Sequence, residues 1–221
     1  TVTVPVIDRG PYVAGRDSAG DSAGTMDYHT TLSLLTNGNY LYLGKTGSAY
    51  CDPTPGLAEA CELQVYDIST PTNPTLVGVQ DSSGDVSGFS GLGFNTLAIS
   101  GNSLFVGQQT DVYPCSQIAG FAHGCELKVF DISSSTSPVF IKGINTSGVV
   151  NPSTYGDVSA LQVSGDYLYL AKYDTDYGFC EQSASLIEGC GLMVFDISST
   201  SNPIFAAGRY PSGAAAGYST G

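Results

Sequence analysis

The sequence predicts an all-β protein built from three four-stranded antiparallel units in tandem. Three observations predict it. First, one phrase recurs: Glu62-Leu-Gln-Val-Tyr-Asp-Ile-Ser69, Glu126-Leu-Lys-Val-Phe-Asp-Ile-Ser133 and Gly191-Leu-Met-Val-Phe-Asp-Ile-Ser198, with Asp67, Asp131 and Asp196 standing 64 and 65 residues apart. Self-similarity at a fixed period marks units that bury their apolar faces against one another. Second, each phrase is preceded by a pair of short apolar runs and followed by one more. Third, apolar residues alternate at a period of two and are rich in Val, Ile, Tyr and Phe, which suits half-buried strands and not helices.

The first pair of runs in each unit is Leu32-Ser-Leu-Leu35 with Tyr40-Leu-Tyr-Leu43, Leu97-Ala-Ile99 with Ser103-Leu-Phe-Val106, and Leu161-Gln-Val163 with Tyr167-Leu-Tyr-Leu170. Between their members lie Asn37-Gly38-Asn39, Gly101-Asn102 and Gly165-Asp166, which predict tight hairpins because Gly, Asn and Asp tolerate positive φ. The recurring phrase is the third strand. The fourth follows a proline, over 74–79, 138–143 and 203–208. Short helical pieces are expected only inside loops, at 57–60 and 183–187.

Four-stranded units in tandem are the blades of a β-propeller. The predicted fold is a propeller-like array of three four-stranded antiparallel blades with long disulfide-stapled loops. Residues 1–27 form an N-terminal strand and linker, 28–81 blade 1, 82–146 blade 2, 147–210 blade 3 and 211–221 a C-terminal tail. The pattern Gly-Asn/Asp-Tyr-Leu-Tyr-Leu followed by Leu-x-Val-Phe-Asp-Ile-Ser-x-x-x-x-Pro resembles the LVIVD repeat of secreted and cell-surface prokaryotic proteins. The resemblance spans residues 28–210. It implies a scaffold and no particular chemistry. Repeats of that family are shorter than the 64 to 65 residues here, the excess lying in two loops per blade.

All six cysteines obey the repeat, as Cys51 and Cys61, Cys115 and Cys125, and Cys180 and Cys190, ten residues apart each time. A bridge within each loop is the natural pairing of the 15 that six cysteines allow. Each would pin a loop to its own blade and contribute roughly 2–3 kcal/mol through the unfolded state. Structural disulfides imply an extracellular or cell-surface location. Zinc fits poorly, because structural zinc sites use closer ligand pairs and only His29 and His123 could complete a set.

Composition narrows the function further. Seven Lys and Arg stand against 20 Asp and Glu, a net charge of −13, while charged residues make up only 12%. Such a surface does not grip a phosphate backbone, so nucleic acid is excluded as a partner. No apolar run is long enough for a transmembrane helix. No Gly-x-Ser-x-Gly elbow accompanies either histidine, and the glycine-rich stretch 84–93 lacks the strand-loop-helix context of a phosphate cradle. Asp67, Asp131 and Asp196 recur once per blade, which suits hydrogen bonding to the following turn and not a catalytic acid. Asp81 with Asp85, or Asp174 with Asp176, offer oxygen ligands for Ca²⁺ but no complete loop motif, so no cofactor is expected. Asn145-Thr146-Ser147 is a glycosylation sequon.

The chain opens on Thr1, as a processed product or a stretch of something longer would. Three blades fall below the four to eight of closed propellers. Residues 1–10 match the outer strand of a blade. With Val2, Val4 and Val6 on one face, they are expected to serve as a closure strand or to add to a neighbouring copy. The expected partners are other copies of the chain or the rest of a longer propeller. The expected function is a non-enzymatic extracellular structural or adhesion protein, such as a filament subunit. The alternative is a propeller that binds carbohydrate through tyrosine-rich loops such as 173–179. A hydrolase or lyase ranks last.

Overall fold

The computed structural model describes residues 31–45, 61–80, 93–108, 115, 125–144, 146, 156–174, 181–183, 186–188 and 190–209. Blade 1 contains β1 (Thr31–Asn37), β2 (Tyr40–Lys45), β3 (Leu63–Asp67) and β4 (Thr75–Gln80). Blade 2 contains β5 (Phe94–Ser100), β6 (Ser103–Gln108), β7 (Leu127–Asp131) and β8 (Val139–Ile144). Blade 3 contains β9 (Gly156–Ser164), β10 (Tyr167–Asp174), β13 (Leu192–Asp196) and β14 (Ile204–Arg209). Each blade is a four-stranded antiparallel sheet with its strands in sequence order. No helix occurs among the described residues, and therefore none there is long and apolar enough to cross a membrane.

The three hairpins close on Asn37↔Tyr40, Ser100↔Ser103 and Ser164↔Tyr167. Their first turn residues are Gly38, Gly101 and Gly165, with φ of 58°, 55° and 58°. A side chain at these positions would meet open space yet strain the backbone, since only glycine adopts this region freely. Each sheet also carries the same two irregularities. One lies in the ladder between first and second strands, where Leu32, Asn95 and Ser159 are skipped. The other interrupts the third-to-fourth ladder after Val65, Val129 and Val194. Bulges repeated at one register sharpen the twist of every blade alike.

One expectation fails. Ser183, Leu186 and Ile187 are in strands and not in a helix: β11 (Glu181–Ser183) pairs antiparallel with β12 (Leu186–Glu188), with Ser183 opposite Leu186. Leu186 and Ile187 form too short an apolar run for periodicity to separate helix from strand. Residues 57–60 lie outside the described set.

The blades are held together at two seams. The face of each sheet that looks to the preceding blade is called here its leading face, and the opposite one its trailing face. At the first seam, Tyr42, Leu63 and Val65 of blade 1 pack against Leu97, Leu104, Val106, Phe130 and Ile132 of blade 2. At the second, Ala98, Phe105, Leu127 and Val129 pack against Leu161, Leu168, Leu170, Met193, Phe195 and Ile197 of blade 3. Period-two alternation sends successive side chains of one strand to opposite seams: Leu104 and Val106 face blade 1, and Phe105 faces blade 3. Each such aliphatic or aromatic side chain contributes about 1.5–3 kcal/mol on burial, so the apolar core is a pair of seams and not the interior of any one sheet. The first strands gather along one side, with β5 against both β1 and β9.

Candidate functional site

At one end of every blade lies the Asp-Ile-Ser turn. The carboxylates Oδ1 of Asp67, Asp131 and Asp196 accept hydrogen bonds from the backbone N–H of Ser69, Ser133 and Ser198, each at 2.8 Å. The next residue, Ile68, Ile132 or Ile197, donates its N–H at 2.8 Å to the carbonyl of Asn39, Asn102 or Asp166 in the hairpin beside it. The amide and then the hydroxyl of the serine hold each of the three carboxyl groups below its ordinary range, because they stabilise the charged form. All three acids are thus spent in the same way, on tying the third strand to the first turn of its own blade.

At the opposite end, where the second strand leaves and the third begins, the sequence repeats a polar pair. Lys45, Gln108 and Lys172 stand at equivalent positions near the ends of the second strands. Their N–H groups donate to the carbonyls of Glu62, Glu126 and Gly191 at 2.8–2.9 Å. At the second seam the lysine side chain then reaches across. Lys172 Nζ of blade 3 lies 2.9 Å from Glu126 Oε1 of blade 2, and both side chains are buried. Glu126 Oε2 accepts the backbone N–H of Thr146 at 2.8 Å and also its hydroxyl. The carboxylate is therefore saturated by one cation and two donors, as a buried charge requires. Asp157 lies beside this pair; burial, and then the charge of Glu126, push its carboxyl up. Its Oδ1 is buried without a hydrogen-bond partner. Sequence reasoning missed this cluster. The available signal was that Glu126 directly follows a bridged cysteine in a chain that has few cations.

The Cys115–Cys125 disulfide is present and ends one residue before Glu126, so it anchors the strand start from which the buried carboxylate projects. Cys61 and Cys190 are each disulfide-bonded, and no cysteine is free among the described residues. Cys51 and Cys180 lie outside those residues, as do Val2, Val4, Val6 and Asn145. His29, His123, Asp81, Asp85 and Asp176 lie outside as well, and Asp174 is described only as backbone pairing with Gly156. No cluster of three or more His, Cys, Asp or Glu suited to a metal occurs among the described residues.

Equivalent positions differ sharply in exposure at the two outer faces. Leu34, on the leading face of blade 1, is 67% exposed, whereas its counterparts Leu97 and Leu161 are 8% and 9% exposed. On the trailing face of blade 3, Tyr169 and Leu192 are 38% and 41% exposed, whereas Tyr42 and Phe105, and Leu63 and Leu127, are fully buried. Tyr167 on the same face is also exposed. The structure thus places Tyr167 and Tyr169 together on an open sheet face.

This architecture is that of a repeat protein of β-propeller-like blades. The LVIVD repeat model matches residues 58–81, 155–177 and 188–210. The first match includes β3 and β4, the second the β9–β10 hairpin, and the third β13 and β14. These are the segments that carry the Tyr-Leu-Tyr-Leu and Asp-Ile-Ser phrases, so the chain carries LVIVD repeats in blades 1 and 3. No curated protein matches the chain.

Proposed function

We propose that the chain is a non-enzymatic extracellular structural or adhesion protein that assembles with other copies by strand addition into filaments. The observation that carries this reading is the outer edge of the blades. β8 and β14 are edge strands, each paired on one side only, and Val139, Ile141 and Ile204 are exposed upon them. An apolar sheet edge, as these are among the described residues, templates pairing with a further strand. Residues 1–8, with Val2, Val4 and Val6 alternating, are the proposed donor.

The recurring acids support a structural role, since Asp67, Asp131 and Asp196 are occupied by their own turns. Bonded cysteines support an oxidising exterior, with Cys51–Cys61 and Cys180–Cys190 as the remaining proposed pairs and Asn145 as the proposed glycan site. Removing residues 1–10 tests the reading: electron microscopy should show filaments from the whole chain and none from the shortened one. Unchanged assemblies would refute strand donation.

A second reading, carbohydrate binding, is favoured by Tyr167 and Tyr169 exposed side by side on β10 with Gln162 paired opposite Tyr169. Aromatic faces next to an amide suit the apolar side and hydroxyls of a sugar ring. A glycan array tests it, with loss of any signal in Tyr169→Ala as the expected result.

A further inference from the structure

Each seam consists of a trailing face on a leading face, and the structure contains one spare copy of each. The spare leading face is that of blade 1. There Leu34, Leu41 and Leu43 occupy the positions of Leu97, Leu104 and Val106 in blade 2 and of Leu161, Leu168 and Leu170 in blade 3. All six counterparts are buried under the preceding blade, while Leu34 is open to solvent. The spare trailing face is that of blade 3. Tyr169, Leu192 and Val194 stand there in the positions of Tyr42, Leu63 and Val65, and of Phe105, Leu127 and Val129.

We infer that these two faces bind each other between copies of this chain, the trailing face of blade 3 seating on the leading face of blade 1 of a second copy. This rests on the self-assembly reading above and names a different surface for it. The occupant follows from continuity with the two seams already formed: a surface that matches a trailing blade face at Tyr169, Leu192 and Val194 is complementary there to a leading one, and the chain carries both.

The polar rim agrees. At the second seam Glu126 answers Lys172. On the spare trailing face Gly191 takes the place of Glu126, and on the spare leading face Lys45, the counterpart of Lys172, is already buried and engaged. The spare trailing face does carry Arg209, exposed opposite Leu192 where blades 1 and 2 have Gln80 and Ile144. The docked faces must leave this cation at the solvent rim, since an unpaired buried charge would most strongly oppose the contact.

One position makes this contact weaker than an internal seam. Gly44 and Gly107 let the next blade approach closely: a Cβ on Gly44 would meet Phe94 O at 2.6 Å, and one on Gly107 would overlap Val158 Cγ1. Blade 3 has Ala171 at that register. Its methyl group holds the partner strand slightly further off, which makes the association reversible and concentration-dependent. The contact is heterologous, so two copies close into a six-bladed ring or many copies extend as a filament.

Light scattering tests this on the whole chain and on Leu34→Glu and Leu192→Glu, both exposed positions where the fold tolerates a charge. The whole chain should show at least twice its 22.8 kDa. Each variant alone should fall to the monomer mass with an unchanged circular dichroism spectrum. An equimolar mixture of the two should recover a one-to-one pair, because the trailing face of L34E and the leading face of L192E remain intact. Ala171→Gly should lower the concentration needed for association.

A whole chain that stays monomeric at high micromolar concentration would overturn the inference. So would variants that assemble as the parent does, or a mixture that stays monomeric. Assembly lost on removing residues 1–10 but kept in L34E and L192E would uphold strand donation and overturn face pairing. The opposite pattern would uphold face pairing and remove strand donation.

Discussion

The seam between blades 1 and 2 and the seam between blades 2 and 3 occupy the same positions but close differently. Both carry an edge-to-face pair of phenylalanines from third and fourth strands, Phe130–Phe140 at 5.7 Å and Phe195–Phe205 at 5.9 Å, and the first adds Phe94, which meets Phe130 edge to face at 6.1 Å. The rim of the first offers Gln108, whose Oε1 is buried without a partner. The second has Val158 where the first has Phe94, and its rim is locked by the Glu126–Lys172 ion pair. The backbone cross-links are different as well. Ser33 Oγ donates to Phe94 O at 3.0 Å at the first seam, whereas Leu161 N–H donates to Thr96 Oγ1 at 3.1 Å at the second. The lesson is that apolar pattern sets how blades stack, while the rim sets how strongly a given pair is specified.

The largest way to break the comparison is at the ion pair. Glu126→Leu strands Lys172 in a buried site and is expected to cost about 3–5 kcal/mol in denaturant unfolding, while adding Lys172→Met should return most of it. The corresponding change at the first seam, Gln108→Met, removes an amide whose oxygen is already unsatisfied and should cost much less.

Next comes close approach. Gly44→Ala forces a methyl group against backbone at Phe94 O, an overlap that side-chain rotation cannot relieve, and should cost about 1–3 kcal/mol. Gly107→Ala meets only the side chains of Val158 and Thr96 and should cost less. The order of the two, read from thermal unfolding, tests whether the neighbour met is backbone at the first seam and side chain at the second.

Smaller again is Tyr42→Phe. The Tyr42 hydroxyl is buried without a well-formed hydrogen bond; burial pushes its phenol up, and the nearby Ser135 side chain offsets part of that. Phe105 fills the same position at the second seam, so the change should be neutral or stabilise by up to about 1 kcal/mol. The smallest effect belongs to the turns. Asp67, Asp131 and Asp196 have carboxyl groups lowered by the serine amides. Their contribution is present above the ordinary carboxylate range and is lost as pH falls through their lowered values. NMR titration of the three carboxyl carbons should find all of them below an unstructured aspartate, and the seams should not alter that.

Much of this was legible in the sequence, for local reasons. Period-two alternation, the Gly-Asn and Gly-Asp turns and the proline before each fourth strand lie within a few residues of what they determine, so the four-stranded blades could be read directly. The Asp-Ile-Ser turn was legible for the same reason, because its acceptor and donor are two residues apart. The ten-residue cysteine spacing likewise led to the Cys115–Cys125 bridge. What could not be read was set between blades. Glu126 and Lys172 meet only because one blade's loop end faces the next blade's strand end, and nothing local marks either as a partner. Gly44 and Gly107 resemble ordinary strand glycines until the neighbouring sheet is placed against them. The β11–β12 hairpin escaped because three-residue strands carry no period.

The central claim is that a blade's trailing face is made to receive a leading face, at the outer faces as at the seams. Sedimentation equilibrium of the whole chain over a concentration series tests it most directly. The account expects the average mass to rise above 22.8 kDa with concentration, and to rise further in high salt as the −13 charge per copy is screened. A mass fixed at 22.8 kDa across the series and at both salt concentrations would contradict it.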